Sequence, residues 1–379
     1  MKIALVSPYD YLYPGGVVKH ISQLDKHFRQ WGYEVRVIAP CSADEEYLPD
    51  HLIVASSRVI PVPYSGSIAR VSLSPRLYFR VKRILKQERF DIVHAHEPLS
   101  PALPLAVLRH SKAVNIGTFH AYRESHAALD YTKPIARRFF ARLDGRIVVS
   151  EPVREYLSKY FPTEYVVIPN GIDIESFQGA PPLPKYANGQ LNILFVGRLE
   201  KRKGFSYLLD AFARVKAQVP QARLIVVGAF DKQDKAPYVR QVRRQRIRDV
   251  HFVGYVPDEE LPRYYASAHL FCAPSTGFES FGLVLLEAMA AGVPVVASNI
   301  AGYQTLLSPG REGLAVPPAD PVALGQAIIE LLQDPDRRRW MGEQGRLKAR
   351  GYSWENVAKQ VLEYYQELFT RRAEHKEAV

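Results

Sequence analysis

The sequence predicts an α/β protein made of two Rossmann-like domains, each with a doubly wound parallel sheet. Short apolar runs alternate with helical patterns along the chain, which is typical of parallel strands covered by helices. The alternation stops near residue 170, at a Pro-Asn-Gly turn and a proline-rich stretch, and then starts again. A chain of 379 residues is long enough for two such domains.

The apolar runs place ten strands. In the first domain we predict strands at residues 3–7, 35–39, 92–94, 115–118 and 147–149. In the second we predict strands at residues 192–196, 224–227, 251–253, 270–273 and 295–297. The predicted domains are residues 1–171 and 172–353, and the last segment, 354–379, is predicted to contain a helix.

The charge is positive and uneven. The net charge is +11, and residues 51–150 carry 16 Lys and Arg against 6 Asp and Glu. Such a zone suits nucleic acid, anionic lipid or an anionic substrate, and composition does not choose among them. The amino terminus lacks the apolar core of a signal peptide, and no apolar run reaches 18 residues. We therefore expect a cytoplasmic protein that does not span a membrane.

Two glutamates eight positions apart, Glu279 and Glu287, bracket a short segment with helical spacing that ends at Gly292. We predict an amphipathic helix with Glu279 just before it. The backbone amides at such a start lack intrahelical acceptors and suit anions or hydroxyls, here those of Phe281, Gly282 and Leu283. The helical rise separates the two carboxylates by roughly 12 Å, too far for the paired acid and base of a glycosidase. They are expected to hold different parts of one long ligand.

Two further segments favour phosphate binding. In GRLEKRKG, Arg198 and Lys203 follow the first strand of the second domain, where doubly wound folds bind ligands. Gly15 and Gly16 open a helix after the first strand of the chain, although the dinucleotide pattern GxGxxG is absent. A solvated basic loop and a plain turn are the simpler alternatives. The Asp334-Pro335-Asp336 triplet is interpreted as a helix cap with proline at its first position, so no metal site is predicted.

A basic helix is predicted after Ser74-Pro75, which are interpreted as its cap and first residue. One arc of this helix is apolar, and Phe79 lies among cations on the other. That face suits an anionic membrane surface, with the predicted contacts Arg76, Phe79, Arg80, Lys82, Arg83 and Lys86. An ordinary amphipathic surface helix is the alternative. No nucleic-acid-binding motif accompanies the patch, and we expect no nucleic-acid partner.

Together these motifs resemble the family 4 retaining glycosyltransferases, which have the GT-B architecture of two Rossmann-like domains with a cleft between them. The segments SPYDYLYPGGVVKH, VPYSGSIAR, HEPLSP and GTFH, in that order, resemble the bacterial phosphatidylinositol α-mannosyltransferases. In that family the last helix returns to the first domain. The resemblance implies that Glu279 contacts the donor sugar, that Glu287 contacts the ribose, and that Arg198 and Lys203 contact the diphosphate. It also implies that Gly15 and Gly16 contact the donor. On the acceptor side, it implies that Tyr9 and Arg70 contact the headgroup and that His120 contacts the sugar or acceptor.

The resemblance also implies an activity. The chain would transfer a hexose, mannose from GDP-mannose being our first choice, to a lipid such as phosphatidylinositol at the inner membrane leaflet. The enzyme would be peripheral, retaining and metal-independent, and would need no cofactor besides the sugar nucleotide. Val18, Ala121 and Ser125 depart from polar positions of the family pattern, so another headgroup such as diacylglycerol stays open. The alternatives are a UDP-hexose transferase acting on diacylglycerol or a soluble glycan, and a nucleotide-sugar-binding module without turnover. The sequence does not indicate the oligomeric state.

Overall fold

The computed structural model describes residues 1–13, 15–42, 48–64, 67–121 and 127–377. The chain divides into two compact units. The first unit comprises Met1–Gly171 together with Trp354–Val379, and the second comprises Ile172–Ser353. Ser125, one of the departures from the family pattern, lies outside the described residues.

The first unit is built on a parallel sheet. Its elements are β1 (Lys2–Val6), α1 (Gly16–Gln30), β2 (Glu34–Pro40), β3 (Leu52–Ser56), a hairpin of β4 (Ile60–Tyr64) and β5 (Ser67–Val71), α2 (Leu77–Glu88), β6 (Ile92–His96), α3 (Leu103–His110), β7 (Val114–Phe119), α4 (Ala127–Phe140), β8 (Gly145–Val148), α5 (Glu151–Ser158) and β9 (Val166–Val167). Among the described residues the sheet order is β3-β2-β1-β6-β7-β8-β9, and every pairing is parallel.

The second unit repeats the plan. Its elements are α6 (Ile174–Gln178), β10 (Leu191–Val196), α7 (Phe205–Gln218), β11 (Ala222–Val227), α8 (Lys232–Arg244), β12 (Val250–Gly254), α9 (Leu261–Ala266), β13 (Leu270–Ala273), α10 (Leu283–Ala291), β14 (Val295–Ser298), α11 (Ala301–Gln304), β15 (Gly313–Val316), α12 (Pro321–Gln333) and α13 (Pro335–Arg350). The parallel sheet has the order β12-β11-β10-β13-β14-β15. The last helix, α14 (Trp354–Glu377), belongs to the first unit.

Apolar burial explains why α14 packs on the first unit. Phe28 of α1 and Tyr365 of α14 are buried in one hydrophobic cluster, with ring centroids 5.6 Å apart. Trp354 and Val361 on α14 join the same cluster. Large aromatic and branched side chains removed from water in this way contribute about 1.5–3 kcal/mol each. The helix is therefore part of the core of the first unit.

Each sheet has a topological switch point, where the chain reverses the direction in which strands are added. In the first unit it lies between β1 and β6, and in the second between β10 and β13. Loops that follow the carboxyl ends of two such strands diverge and leave a crevice where ligands bind in doubly wound folds. The segments that follow β1, β6, β10 and β13 are therefore the first places to look for a site.

The predicted α/β class with two doubly wound sheets is confirmed. Each of the ten predicted strands is present, with ends displaced by at most two residues. The prediction missed β3, β9, β15 and the β4–β5 hairpin. The hairpin carries Pro61 and Pro63, which lack a backbone donor and are typical of edge strands, so its sequence does not look like a strand. The interpretation of Asp334 as a cap is also confirmed, since its carboxylate accepts the Arg337 amide at 2.9 Å.

Candidate active site

Two loops meet at the switch point of the second unit. One follows β10 and ends at Gly204, and the other follows β13 from Pro274. Gly204 has φ +67°, and a Cβ there would lie 1.9 Å from the carbonyl oxygen of Pro274, so only glycine fits. The Thr276 amide donates to the Arg202 carbonyl oxygen at 2.8 Å. These contacts bring the cations of the first loop against the acidic second loop.

The carboxylate of Glu279 lies where the loops meet. Its Oε1 atom is 2.7 Å from Lys203 Nζ and 2.8 Å from an Arg202 guanidinium nitrogen. The Ser275 hydroxyl donates to the same oxygen at 3.3 Å and lies 2.8 Å from the Tyr303 hydroxyl. Burial, then the nearby Glu279 charge, raise the pKa of Tyr303 well above its ordinary value, so Tyr303 stays protonated. The carboxylate is thus fixed by a hydrogen-bonded ion pair in a mostly buried position.

Glu200 extends the same network. It lies 3.0 Å from Arg198 Nε and 2.8 Å from Arg202 Nε. Arg198, Arg202 and Lys203 together exceed the charge of Glu200 and Glu279 by one unit. The Arg198 side chain is 41% exposed, so its guanidinium can reach an incoming anion. The loop therefore offers a positive, structured surface that suits an anion.

Glu287 is held separately, on α10. The Tyr265 hydroxyl donates to Glu287 Oε2 at 2.8 Å. Burial, followed by the charge of Glu287, raises the pKa of Tyr265 well above its ordinary value, which keeps this donor protonated. The prediction of an amphipathic helix here is wrong: α10 is buried or half-buried along its whole length, because it packs beneath other helices of the unit.

The start of α10 leaves backbone donors available. Gly282 precedes the helix with φ +93°, and Gly292 ends it with φ +75° as predicted. Within the described residues, no group accepts a hydrogen bond from the amides of Phe281, Gly282 or Leu283. The carbonyl oxygen of Glu279 lies 1.9 Å from where a Cβ of Gly302 would stand, so α11 packs tightly against this turn. These donors are held close to Glu279 by packing.

In the first unit, the predicted headgroup residues Tyr9 and Arg70 come together. Tyr9 forms an isolated antiparallel bridge with Val71, and the Asp10 amide donates to the Arg70 carbonyl oxygen at 2.9 Å. The Arg70 guanidinium lies 4.6 Å from the centroid of the half-exposed Tyr13 ring. The hairpin that carries Arg70 thereby borders the loop after β1.

The same loop leads into α1. Gly15, with extended backbone, caps the helix, and Gly16 is its first residue. A Cβ at either glycine would meet nothing within 4 Å, so the backbone there has open space beside it. Val18 lies in the first turn of the helix and is half-buried.

His120 follows β7 and joins a cluster of four histidines with His20, His94 and His96. His96 Nδ1 lies 2.9 Å from His120 Nε2, and these rings stack with an interplanar angle of 22°. His20 meets both rings edge-on, with centroids 4.9 Å from His120 and 5.2 Å from His96. The His20 Nδ1 atom is 3.0 Å from the Asn170 side-chain oxygen.

His94 anchors this histidine cluster to the core. Its Nε2 lies 2.6 Å from the Thr118 hydroxyl and its Nδ1 bonds the Tyr365 hydroxyl of α14. Burial lowers the pKa of all four imidazoles, to about 4 for His20 and about 3 for His94, and well below the ordinary value for His96 and His120. At neutral pH the four rings are therefore uncharged.

A buried carboxyl holds the backbone around His120. Glu97 Oε1 accepts the amides of His120 at 2.7 Å and Ala121 at 2.9 Å. Burial raises the pKa of Glu97 to about 6, although the two amides act in the opposite direction. Glu97 itself has φ +48°, a conformation that non-glycine residues rarely adopt. Strain of this kind is commonest at functional sites.

The predicted membrane face is exposed on α2. Phe79 is 73% exposed, and the same surface of the helix carries Arg80, Lys82, Arg83 and Lys86. Leu77, Val81 and Ile84 are buried on the opposite side. The predicted start of the helix is wrong: Ser74 and Pro75 form a turn in which Ser74 accepts the Leu77 amide at 3.1 Å, and Arg76 is the capping residue.

Several contacts of this site were not predicted. Arg202 was passed over although it stands in the GRLEKRKG segment, and His96 and Glu97 are the first two residues of the HEPLSP segment. Tyr265 and Tyr303 are ordinary core residues by sequence, and only the fold places them against Glu287 and Glu279. The α2 cations belong to the first unit, and the Glu279 network lies in the second.

Two absences hold for the described part of the chain. No group of three or more His, Cys, Asp or Glu residues there has the arrangement of a metal site. Among those residues, no helix is both long and apolar enough to cross a bilayer.

Comparison with known proteins agrees with this fold. A family model described as "Glycosyltransferase Family 4" matches residues 14–176, and one described as "Glycosyl transferases group 1" matches residues 184–348. The sucrose-phosphate synthase of Thermosynechococcus elongatus superposes with a TM-score of 0.77 at 27% identity, over 98% of this chain and 99% of that one. The fold and site define a glycosyltransferase of the GT-B class.

Curated relatives show which members of this class the chain is similar to. The chain is 37% identical to the phosphatidyl-myo-inositol mannosyltransferase of Mycobacterium leprae, over 98% of both chains. It is 34% identical to the protein of that name in Mycolicibacterium smegmatis, over 97% of this chain and 94% of the relative. The chain belongs to the family 4 glycosyltransferases, and it is a hexosyltransferase similar to these mannosyltransferases.

Proposed function

We propose that this protein is a metal-independent, retaining glycosyltransferase that moves a hexose from a nucleoside diphosphate to a lipid acceptor. Mannose from GDP-mannose is the donor we favour, and phosphatidylinositol at the inner membrane leaflet is the acceptor. The observation that carries the proposal is the Glu279 carboxylate fixed between Lys203 and Arg202 at the switch point of the second unit. Relatives named as phosphatidyl-myo-inositol mannosyltransferases support the substrate pair.

The donor is held by the second unit. Glu279 contacts the sugar, Glu287 the ribose hydroxyls, and Arg198 and Lys203 the diphosphate. The amides of Phe281, Gly282 and Leu283 complete the polar surface, because helix starts bind anions and hydroxyls. The cations and amides stabilise the charge that grows on the departing diphosphate, which is the task a divalent metal performs in other transferases. Gly15 and Gly16 leave room for the donor beside the first unit's backbone.

The transfer that we propose retains the configuration at the anomeric carbon. The bond between the anomeric carbon and the phosphate oxygen breaks as the acceptor oxygen bonds on the same face, so the configuration is retained. The acceptor's proton passes to the leaving phosphate. His120 positions and stabilises the sugar or acceptor rather than removing a proton, which agrees with a neutral imidazole whose pKa is lowered by burial.

The acceptor is recognised by the first unit and by the membrane. Tyr9 and Arg70 contact the headgroup phosphate, and the cationic face of α2 attracts anionic lipids while Phe79 inserts. Val18, Ala121 and Ser125 replace polar positions of the phosphatidylinositol pattern, so diacylglycerol is the acceptor to compare with phosphatidylinositol. The enzyme would work in the cytoplasm, bound peripherally to the inner leaflet.

Product identification tests the proposal directly. Purified protein is incubated without divalent metal with GDP-mannose, UDP-glucose, UDP-galactose or UDP-N-acetylglucosamine, and with vesicles containing phosphatidylinositol or diacylglycerol. We expect mass spectrometry to detect a mannosylated phosphatidylinositol. A UDP-hexose product on diacylglycerol would favour the alternative transferase, and donor binding without transfer or hydrolysis would favour a binding module.

Matched variants separate the site from the bulk surface. We expect Glu279→Gln to lower turnover at least 100-fold, whereas Glu259→Gln, at an exposed glutamate of the same unit, leaves it unchanged.

For membrane attachment, Phe79→Ser should lower binding to anionic vesicles several-fold. Leu347→Ser, at a residue of α13 that is 55% exposed, is the control. Equal vesicle binding by both variants would contradict the role of α2.

A further inference from the structure

His96 is the best-placed partner of His120, and it lies deeper in the first unit. It is the last residue of β6 and is completely buried, whereas His120 is partly exposed. The two rings stack and share a hydrogen bond of 2.9 Å between His96 Nδ1 and His120 Nε2. On the other side of His96, the His94 ring lies 4.3 Å away between centroids. The orientation of His96 is thereby fixed from two sides.

The bond between the two rings requires one donor and one acceptor. A neutral imidazole carries a single N–H, so the proton of each ring must be assigned to one nitrogen. Among the described residues, the buried Nε2 atom of His96 has no hydrogen-bond partner. A buried N–H without an acceptor is rarer and more costly than a buried lone pair without a donor. The proton of His96 therefore belongs on Nδ1, which donates to His120.

This assignment fixes the other ring. Because His120 Nε2 accepts from His96, the proton of a neutral His120 lies on Nδ1. Burial lowers the pKa of His120 well below its ordinary value, so at neutral pH the ring is uncharged and carries this one proton. In this tautomer Nδ1 of His120 carries an N–H. It can donate a hydrogen bond to an oxygen of the sugar or acceptor, and it is unsuited to removing a proton.

We propose that His96 is a positioning residue that holds His120 in the Nδ1–H tautomer and thereby makes it a hydrogen-bond donor in the transfer reaction. The inference rests on the proposed function only for its last step, since the tautomer exists without substrate. In the reaction, the N–H of His120 would donate a hydrogen bond to the reacting oxygen. His96 itself contacts no substrate.

Isosteric substitutions separate positioning from packing. His96→Asn places an amide N–H where Nδ1 stands, His96→Gln places its amide where Nε2 stands, and His96→Leu removes both. We expect the leucine and glutamine variants to lower kcat about 10- to 100-fold with the donor KM changed less than about threefold. The asparagine variant should retain at least a third of the wild-type kcat. Equal kcat values for Asn and Gln would overturn the proposal.

Nuclear magnetic resonance provides the second readout and needs no activity. In protein labelled with 15N-histidine, we expect His120 to show a protonated Nδ1 and an unprotonated Nε2 in the wild type and in His96→Asn, and a mixture of tautomers in His96→Gln. A protonated Nε2 in the wild type would overturn the inference. Failure of the proposed function looks different: the expected tautomers would be present, but no donor would be consumed and His120→Ala would bind substrates normally.

Discussion

Arg202 bridges two carboxylates, with one nitrogen 2.8 Å from Glu200 and another 2.8 Å from Glu279. Sequence reasoning gave the positive charge of this loop to its neighbours Arg198 and Lys203. Four cations, Arg198, Lys201, Arg202 and Lys203, stand within six positions, and their spacing does not say which of them turn inward. The structure adds Arg202 as the link that joins Glu200 to the mostly buried Glu279 carboxylate.

Loss of this link should reduce catalysis. In Arg202→Gln we expect kcat/KM to fall about tenfold or more, because a charge-assisted hydrogen bond contributes about 1.5–3 kcal/mol. Steady-state kinetics with the identified donor measure the change. Lys201→Gln removes an exposed cation from the same turn and should change kcat/KM less than twofold. A similar loss in both variants would mean that only the net charge of the loop matters.

A buried hydroxyl, that of Tyr265, helps to orient Glu287. Tyr265→Phe removes a donor 2.8 Å from Glu287 Oε2, so the carboxylate is held less firmly. If Glu287 holds the ribose, we expect the donor Kd, measured by calorimetry, to rise about three- to tenfold with kcat nearly unchanged. Tyr264→Phe, at the adjacent buried tyrosine, is the control. An unchanged Kd in Tyr265→Phe would argue against the ribose role.

At the scale of elements, the site depends on how two loops and a helix start are packed. Gly204 and Gly302 allow backbone contacts that no larger residue would permit. A Cβ at Gly204 would lie 1.9 Å from the Pro274 carbonyl oxygen, and a Cβ at Gly302 would lie 1.9 Å from the Glu279 carbonyl oxygen. These approaches, and not the individual ion pairs, bring Lys203 beside Glu279. Chemistry at the site is therefore sensitive to residues that carry no functional group.

A pair of glycine substitutions tests this packing. Gly204 and Gly310 both have positive φ, but a Cβ at Gly310 would meet nothing within 4 Å. We expect Gly310→Ala to cost only about 1 kcal/mol, the ordinary penalty of the left-handed conformation. Gly204→Ala adds an overpacking cost of about 1–3 kcal/mol and should lower activity at least tenfold. Thermal unfolding and kinetics give both values, and equal effects of the two substitutions would contradict the close approach.

At the scale of the whole molecule, the first unit buries four neutral histidines and one protonatable carboxyl in one region. Burial lowers the pKa of His20 from 6.5 to about 4, whereas it raises that of Glu97 from 4.5 to about 6. These shifts have opposite consequences for stability. The unfolded chain binds more protons at the histidines, and the folded protein binds more at Glu97.

The histidines should dominate, so stability falls as the pH decreases from about 6.5 toward 4. His20 alone would cost about 2 kcal/mol at pH 5, because it can be protonated only in the unfolded chain. Protonation of Glu97 in the folded protein adds a smaller stabilisation as the pH falls from about 6 to 4.5. Urea unfolding followed by tryptophan fluorescence at pH 7.5 and 5 should show the loss, and His20→Gln should lose about 1–2 kcal/mol less. An equal loss in wild type and variant would contradict the buried neutral imidazole.

How much of the structure could be predicted from the sequence depends on how far apart along the chain the deciding residues lie. Strands and the caps at Asp334 and Gly292 were predictable because the residues that decide them are close in sequence. The β4–β5 hairpin was missed because its prolines hide the strand pattern. The solvent exposure of α10 was mispredicted because helical periodicity does not show what other elements cover a helix.

The sequence by itself determined the two doubly wound sheets, the loops that resemble those of a glycosyltransferase, and the candidate residues Glu279, Glu287, Arg198, Lys203 and His120. Only the tertiary structure decided which groups orient them: Arg202 and Tyr303 around Glu279, Tyr265 at Glu287, and His96 at His120. The physical reason is that local periodicity and turn chemistry act over a few residues. Hydrogen bonds between buried side chains join positions tens of residues apart, and they exist only after the core has formed.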